Sequence, residues 1–274
     1  RSPVTYYDGV ASDVVHCLFE DSKKNVWVGT NKGASFYDGS SWTTLTRGGN
    51  GLPGDTVLDI AEDADGNIWL ACQMYGIGKY DGSTMTKYTK ADGLVNNMPL
   101  SLMVEDDGKI WVGSDENGFG VGGASLYDGS SWTVFSETNG LASKHVNDIF
   151  EDIDGNVWFA TWNGISKFDG TNWTTWDTGN SDITYANIQC IEQDSKGNLW
   201  FGTGEDYFPM GGGFMKFDGS DWSYYDKINT GLADNAVYDI EVDKNGIIWF
   251  ATANGLSKWD REMPYQKAAV PRVA

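Results

Sequence analysis

A chain of 274 residues has room for one large domain or two small ones, and its 39 acidic against 19 basic residues leave a formal net charge of −20. That acidity excludes grasping a phosphate backbone and docking on an anionic lipid surface. It leaves open cations, small molecules, glycans, peptides and protein partners. The 35 Gly, 13 Trp, 13 Tyr and 12 Phe describe a chain of tight turns and aromatic strands.

In chain order, Arg1-Ser2-Pro3 opens the sequence without Met, so removal of an N-terminal segment such as a signal peptide is expected. Residues 4–8 then read as a short aromatic strand. Six innermost strands follow, starting near Val15, Val57, Leu100, Val146, Ile188 and Val237. Each leads to a short phrase centred on Trp, at 27, 69, 111, 158, 200 and 249, with intervals of 42, 42, 47, 42 and 49. A fixed period of this length marks a supersecondary unit repeated end to end.

The unit at residues 57–99 shows its construction. Residues 57–63 form a strand ending in charge, and Asp65-Gly66 supplies the positive φ of a tight hairpin. Residues 67–72 form a second, more apolar strand, residues 77–80 a third stopped by Asp81-Gly82, and residues 85–89 a fourth. Both faces of this meander carry apolar residues, so sheets must stack face to face around an axis. The reading is an all-β chain: one six-bladed β-propeller with four antiparallel strands per blade, a single domain over 1–274 with residues 261–274 as a tail. Blade six has no fourth strand after its third. Residues 4–8 match the fourth strand at 222–226, and residues 3–8 are expected to complete blade six and remove an open edge.

Cys17, Cys72 and Cys190 are odd in number and lie in apolar strands, so they read as small buried residues with no disulfide framework. No apolar run reaches about 18 residues, so no membrane-spanning helix is expected.

The phrases 62–69 (Glu-Asp-Ala-Asp-Gly-Asn-Ile-Trp) and 151–158 (Glu-Asp-Ile-Asp-Gly-Asn-Val-Trp), with 161–170 and 252–260 after the Trp, resemble the two-component regulator propeller repeat. That resemblance implies a β-propeller and a sensor role outside the cytoplasm, in a family where related sensors respond to glycans. The chain departs from such sensors in having one ring, no membrane segment and no kinase motif. Some propellers of similar blade style are lyases with a His base at the mouth, and the resemblance brings His145 into view for that role.

Function is expected where the repeats differ. The Asp-Gly hairpins at one end of the blades are nearly constant and read as turn chemistry. At the other end, the second-to-third-strand loop has three residues in blades one, four and six, nine in blade three (115–123) and ten in blade five (204–213). These loops carry Met74, Tyr75, Glu116, Phe119, Trp162, Asn163, Glu205, Asp206, Tyr207 and Phe208. Aromatics beside carboxylates and amides suit sugar rings or amphipathic peptides. The alternative is that the loops cap the channel mouth and pack on one another.

Asp59, Asp148 and Asp239 share one register of the innermost strand in blades two, four and six, with Cys17, Leu102 and Cys190 read into it in the other three. Three such carboxylates suit a cation or polar ligand in the channel, or hydrogen bonding to neighbouring blades. The Asp-x-Asp-Gly turns lack the downstream ligands of a calcium loop, and His16 and His145 form no zinc-type cluster, so no metal site and no cofactor are expected. No catalytic constellation is visible. The expectation is a monomeric, non-catalytic propeller, periplasmic or extracellular, binding a small molecule, glycan or peptide. A polysaccharide lyase or hydrolase, using Glu116 with Glu205 or Asp206, is one alternative. A structural or adhesion module, with a protein partner, is the other.

Overall fold

Six antiparallel sheets follow one another along the chain of the computed structural model, which describes residues 9–116, 120–204 and 212–259. Blade one is β1 (Val15–Glu20), β2 (Val26–Thr30), β3 (Gly33–Tyr37) and β4 (Trp42–Leu45). Blade two is β5 (Val57–Glu62), β6 (Ile68–Cys72), β7 (Gly76–Tyr80) and β8 (Met85–Tyr88). Blade three is β9 (Pro99–Val104), β10 (Ile110–Ser114), β11 (Gly123–Tyr127) and β12 (Trp132–Phe135). Blade four is β13 (Val146–Glu151), β14 (Val157–Thr161), β15 (Gly164–Phe168) and β16 (Trp173–Trp176). Blade five is β17 (Ile188–Gln193), β18 (Leu199–Thr203), β19 (Gly213–Phe217) and β20 (Trp222–Tyr225). Blade six shows β21 (Val237–Val242), β22 (Ile248–Thr252) and β23 (Gly255–Trp259).

The fold is a six-bladed β-propeller, and among the described residues helix is confined to one short turn at Lys90–Asp92 and another at Lys227–Thr230. Residues 3–8, expected to complete blade six, and the tail 261–274 lie outside the described residues. By internal contacts the chain divides into two compact units. The first comprises residues 1–136 with 144–146 and holds blades one to three; the second comprises 137–143 with 147–274 and holds blades four to six.

The repeated Trp is explained by one hydrogen-bond motif. In every blade its indole Nε1 donates to the acid that opens the first hairpin: Trp27 to Asp21, Trp69 to Asp63, Trp111 to Glu105, Trp158 to Asp152, Trp200 to Asp194 and Trp249 to Asp243, at 2.5–3.3 Å. The same Asp63 carboxylate accepts backbone N–H groups of Asp65 and Asn67 and the Asn67 amide. Partial burial pushes Asp63 up, but donation from Trp69 and Asn67 outweighs it and holds the carboxyl below its ordinary value. One side chain thus shapes the turn and satisfies a buried indole. Trp27, Trp69, Trp158 and Trp200 then fill cores between successive sheets of each unit, as Trp27 does with Leu45, Val57, Ile60 and Leu70.

The outer hairpins use an Asx turn. Asp38 Oδ1 accepts from the backbone N–H of Ser40 and Ser41 at 2.8 and 2.7 Å, and Asp81, Asp128, Asp169 and Asp218 repeat the device. These donors depress the pKa of all five carboxyls.

In four of the six blades a third-strand hydroxyl fastens the connector, and blade five has Met215 at that register instead. Ser35, Ser125, Ser166 and Ser257 Oγ accept the N–H of Ala11, Val95, Ala142 and Ala233 at 2.8–2.9 Å. Blade two lacks the serine, and its connector lacks the donor: Pro53 has no N–H, and Gly78 stands where the serine would be, with no room for a Cβ against the Pro53 ring. Donor and acceptor disappear together, which leaves no polar group stranded.

Exposure at matching registers differs between blades of one unit. In the first unit Val15 is 48% and Leu18 69% exposed, whereas Val57 and Ile60, at the same registers of blade two, are 0% and 4%. In the second, Leu256 is 65% exposed while Ile165 in the same register is 0%.

Candidate functional site

The variable end of the blades is built on the turns that join second to third strands and on the connectors. In blade two the turn between β6 and β7 is one residue longer than in blade one, and the extra residue forces an unusual backbone. Met74 sits at φ 67°, a left-handed conformation uncommon for a non-Gly side chain, and is 64% exposed. Tyr75 beside it is 43% exposed. Its ring lies on Gly54, where a Cβ would collide with Cδ2, and the Arg47 guanidinium sits over the ring at 4.5 Å. In blade four Trp162 is 52% exposed on the tight turn after β14, where Thr161 Oγ1 donates to the Gly164 carbonyl at 2.7 Å. The neighbouring Asn163 shares this turn.

The long loop of blade three is clamped at its base. Asn96 Nδ2 donates to the carbonyls of Asp115 and Val121 at 2.5 and 2.8 Å. Gly122 packs against the Lys144 carbonyl so closely that no side chain fits. Asp115 Oδ1 lies 2.7 Å from Nδ1 of the buried His145 and also accepts the Glu116 N–H. Glu116 is half-buried beside this pair. Of the predicted ligand-face residues, Phe119, Glu205, Asp206, Tyr207 and Phe208 lie outside the described residues. The first unit brings Tyr75 together with Arg47, with Met74 exposed next to Tyr75 in the chain; the Glu116 N–H joins the Asp115–His145 pair. The sequence reading does not reach Arg47, and it brings His145 into view without Asp115 as its partner. A lone arginine on a connector of an acidic repeat was the available signal for the first.

The innermost carboxylates accept backbone hydrogen bonds. Asp59 takes the N–H of Ile60 and, through Oδ2 at 2.7 Å, that of Leu102 on the next blade. Asp148 does the same with Ile149 and Ile191, and Asp239 accepts from Ile240. First strands of successive blades do not pair as a ladder, so these carboxylates occupy N–H groups that a strand neighbour would otherwise take. Among the described residues no group of three or more His, Cys, Asp or Glu is arranged to hold a metal ion.

The blade-three member of this register needs correcting. Ser101, not Leu102, pairs with Gly113 as Asp59 pairs with Ala71; Leu102 faces Val112. The strand begins at Pro99, and a bulge follows, as in the other first strands. A proline as first strand residue is allowed because that position need not donate.

The second unit gathers acid on its inner strands. Burial, then the nearby Glu241 and Asp239 charges, push Glu192 up to about 7 despite donation from the Gln193 N–H. Burial also raises Asp239 and Glu241. A carboxyl whose folded pKa exceeds its unfolded value stabilises fully below the unfolded value, and that stability is lost as pH rises through the folded one. Wild type is therefore expected to lose stability between pH 5 and 8. Glu192→Gln should flatten that slope and gain about 2 kcal/mol at pH 8, a figure already reduced for partial solvation. Thermal melts across this range check it; an unchanged slope in the variant would remove Glu192 as the cause.

Repeated four-stranded sheets carrying this hairpin–Trp motif define a β-propeller, with its variable loops at one end of the blades. The chain carries the two component regulator propeller repeat. The model of that repeat matches residues 9–32, 51–73, 140–163, 182–205 and 231–254, leaving only blade three unmatched. A similar solved structure is the extracellular domain of a putative hybrid two component system from B. thetaiotaomicron, 22% identical over 92% of this chain and 34% of that one, TM-score 0.76. Another is PorZ, a surface component of the type-IX secretion system of Porphyromonas gingivalis, 18% identical over 88% of this chain and 38% of that one, TM-score 0.69. A third is virginiamycin B lyase of Staphylococcus aureus with quinupristin, 20% identical over 89% of this chain and 79% of that one, TM-score 0.68. This chain thus spans about a third of the two component domain it matches. No curated protein matches. No helix among the described residues is long and apolar enough to cross a membrane.

Proposed function

We propose that this chain is a non-catalytic ligand-binding propeller of an extracytoplasmic sensory or interaction protein. It recognises a carbohydrate or peptide at the variable end of its blades. The observation that carries this reading is the asymmetry of the two blade ends. One end repeats the same turn chemistry, while the other presents Met74, Tyr75 and Trp162 to solvent on short, well-anchored turns. Solvent-facing aromatics on a rigid scaffold serve ring stacking, and loops of such scaffolds are where function concentrates. The repeat and the extracellular domain the chain resembles support the sensory part and the location. Asp59, Asp148 and Asp239 are assigned to the frame, in keeping with the backbone donors they accept.

Screening a glycan array and a peptide panel with wild type and Trp162→Ala tests the proposal. A cognate ligand should bind wild type about ten-fold more tightly, which is the loss of roughly 1.4 kcal/mol. Equal binding by both would sink Trp162 as a contact. A lyase or hydrolase is the second reading, favoured by the Asp115–His145 pair at this end of the blades. Release of cleaved product by wild type, and its loss in His145→Ala, would establish that reading.

A further inference from the structure

Arg47 is the only arginine among the described residues of a chain that carries a net charge of −20. Described lysines at this end of the first unit include Lys32 and Lys90, but Arg47 alone stacks on an aromatic ring there. Among the described residues it makes no ion pair, although 39 acidic residues are available to the chain. Its position is built, in three layers. Buried Gly54 carries no side chain, the Tyr75 ring lies on it, and the guanidinium lies on the ring at 4.5 Å. The Arg47 backbone is held as well, its N–H donating to Asp55 Oδ1 at 2.7 Å. Met74, the residue before Tyr75 in the chain, is exposed in a left-handed turn. A stacked guanidinium keeps its planar N–H fork directed outward, and that fork matches a carboxylate with two parallel bonds. Prior stacking lowers the entropy lost when the fork is used.

We propose that Arg47, Tyr75 and Met74 form a subsite for a sugar bearing a carboxylate, a hexuronic acid, with the acid on Arg47 and the apolar face of the ring over Met74. This rests on reading the variable end of the blades as ligand-binding, and it narrows the ligand. Because the chain as a whole repels anions, the subsite suits an isolated uronic acid in an otherwise neutral glycan, not a polyuronate.

Titrating the full chain with methyl β-D-glucuronide, methyl β-D-glucoside and N-acetyl-glutamate, followed by two-dimensional NMR, tests it. The glucuronide should shift signals of residues 47, 54 and 74–76 and bind at least ten-fold more tightly than either comparison ligand. Arg47→Met should abolish that preference while leaving the fold's spectrum intact. Arg47→Lys should retain only part of it, because a point charge lacks the fork. Trp162→Ala should leave it unchanged, so a failure here stays distinct from a failure of the broader reading. Equal binding of glucoside, or of N-acetyl-glutamate, would overturn the sugar-acid assignment, as would full binding by Arg47→Met.

Discussion

Replacing Asp152 by Ala is expected to destabilise the second unit by about 3 to 5 kcal/mol, the range for breaking a buried charged network. Asp152 is 8% exposed and accepts from Trp158 Nε1 at 2.7 Å, from the Asn156 amide with both oxygens at 2.9 Å, and from the backbone N–H of Asp154 and Asn156. Removing it strands the indole N–H of Trp158, itself 2% exposed, in an apolar core with Phe201 and Ile191. Asp152→Asn should recover little, since an amide can accept at one atom only and would point a donor at another donor. Asp154→Ala, one turn position away and exposed, serves as the control and should cost under about 0.5 kcal/mol. Urea unfolding of the three variants decides; a loss below about 1 kcal/mol for Asp152→Ala would mean that the motif is decorative.

The second large effect concerns glycine on a second strand. Gly202 pairs with Cys190, and a Cβ added there would meet Cys190 Sγ at 2.5 Å and Val237 Cγ1 at 2.8 Å. Both are core atoms: Cys190 is 4% and Val237 0% exposed. Gly202→Ala is therefore expected to cost about 2 to 3 kcal/mol through overpacking. Adding Cys190→Ala removes the sulfur but not the valine. The double variant should recover more than about 1 kcal/mol of coupling in a double-mutant cycle, with Val237 retaining the remainder. Simple additivity would show that the two residues do not contend for this space.

Much of the frame is legible in the chain because it repeats. Trp69 and Trp158 announce the period, and Asp-Gly pairs mark hairpins whose φ only glycine adopts freely. What the sequence conceals is pairing at a distance. That Asp63 serves the indole of Trp69 as well as its own turn follows only from side chains meeting across the hairpin. That Gly78 answers Pro53 needs the connector laid on the third strand. Pro99 misled the register of Ser101 by one residue, because a proline at the head of a strand looks like a strand break. At the candidate site, Met74, Tyr75 and Trp162 were readable as exposed because they interrupt a pattern. Arg47 was not, since its stack depends on Gly54 and on where the connector crosses the turn.

The inner register has a further implication, about number. Odd blades place Cys17, Ser101 and Cys190 opposite Gly29, Gly113 and Gly202, and those glycines abut Val57, Val146 and Val237 of the next blade. Even blades place Asp59 and Asp239 opposite Ala71 and Ala251, and Asp59 and Asp148 reach forward to backbone N–H groups instead. Two kinds of joint therefore alternate along the chain, and each kind presupposes the other on its far side. The repeating unit of these joints is then a couple of blades rather than one. Duplication or deletion in couples preserves every joint, whereas gaining or losing a single blade sets two like partners side by side. Parity, and not merely length, is what keeps every joint matched in this architecture.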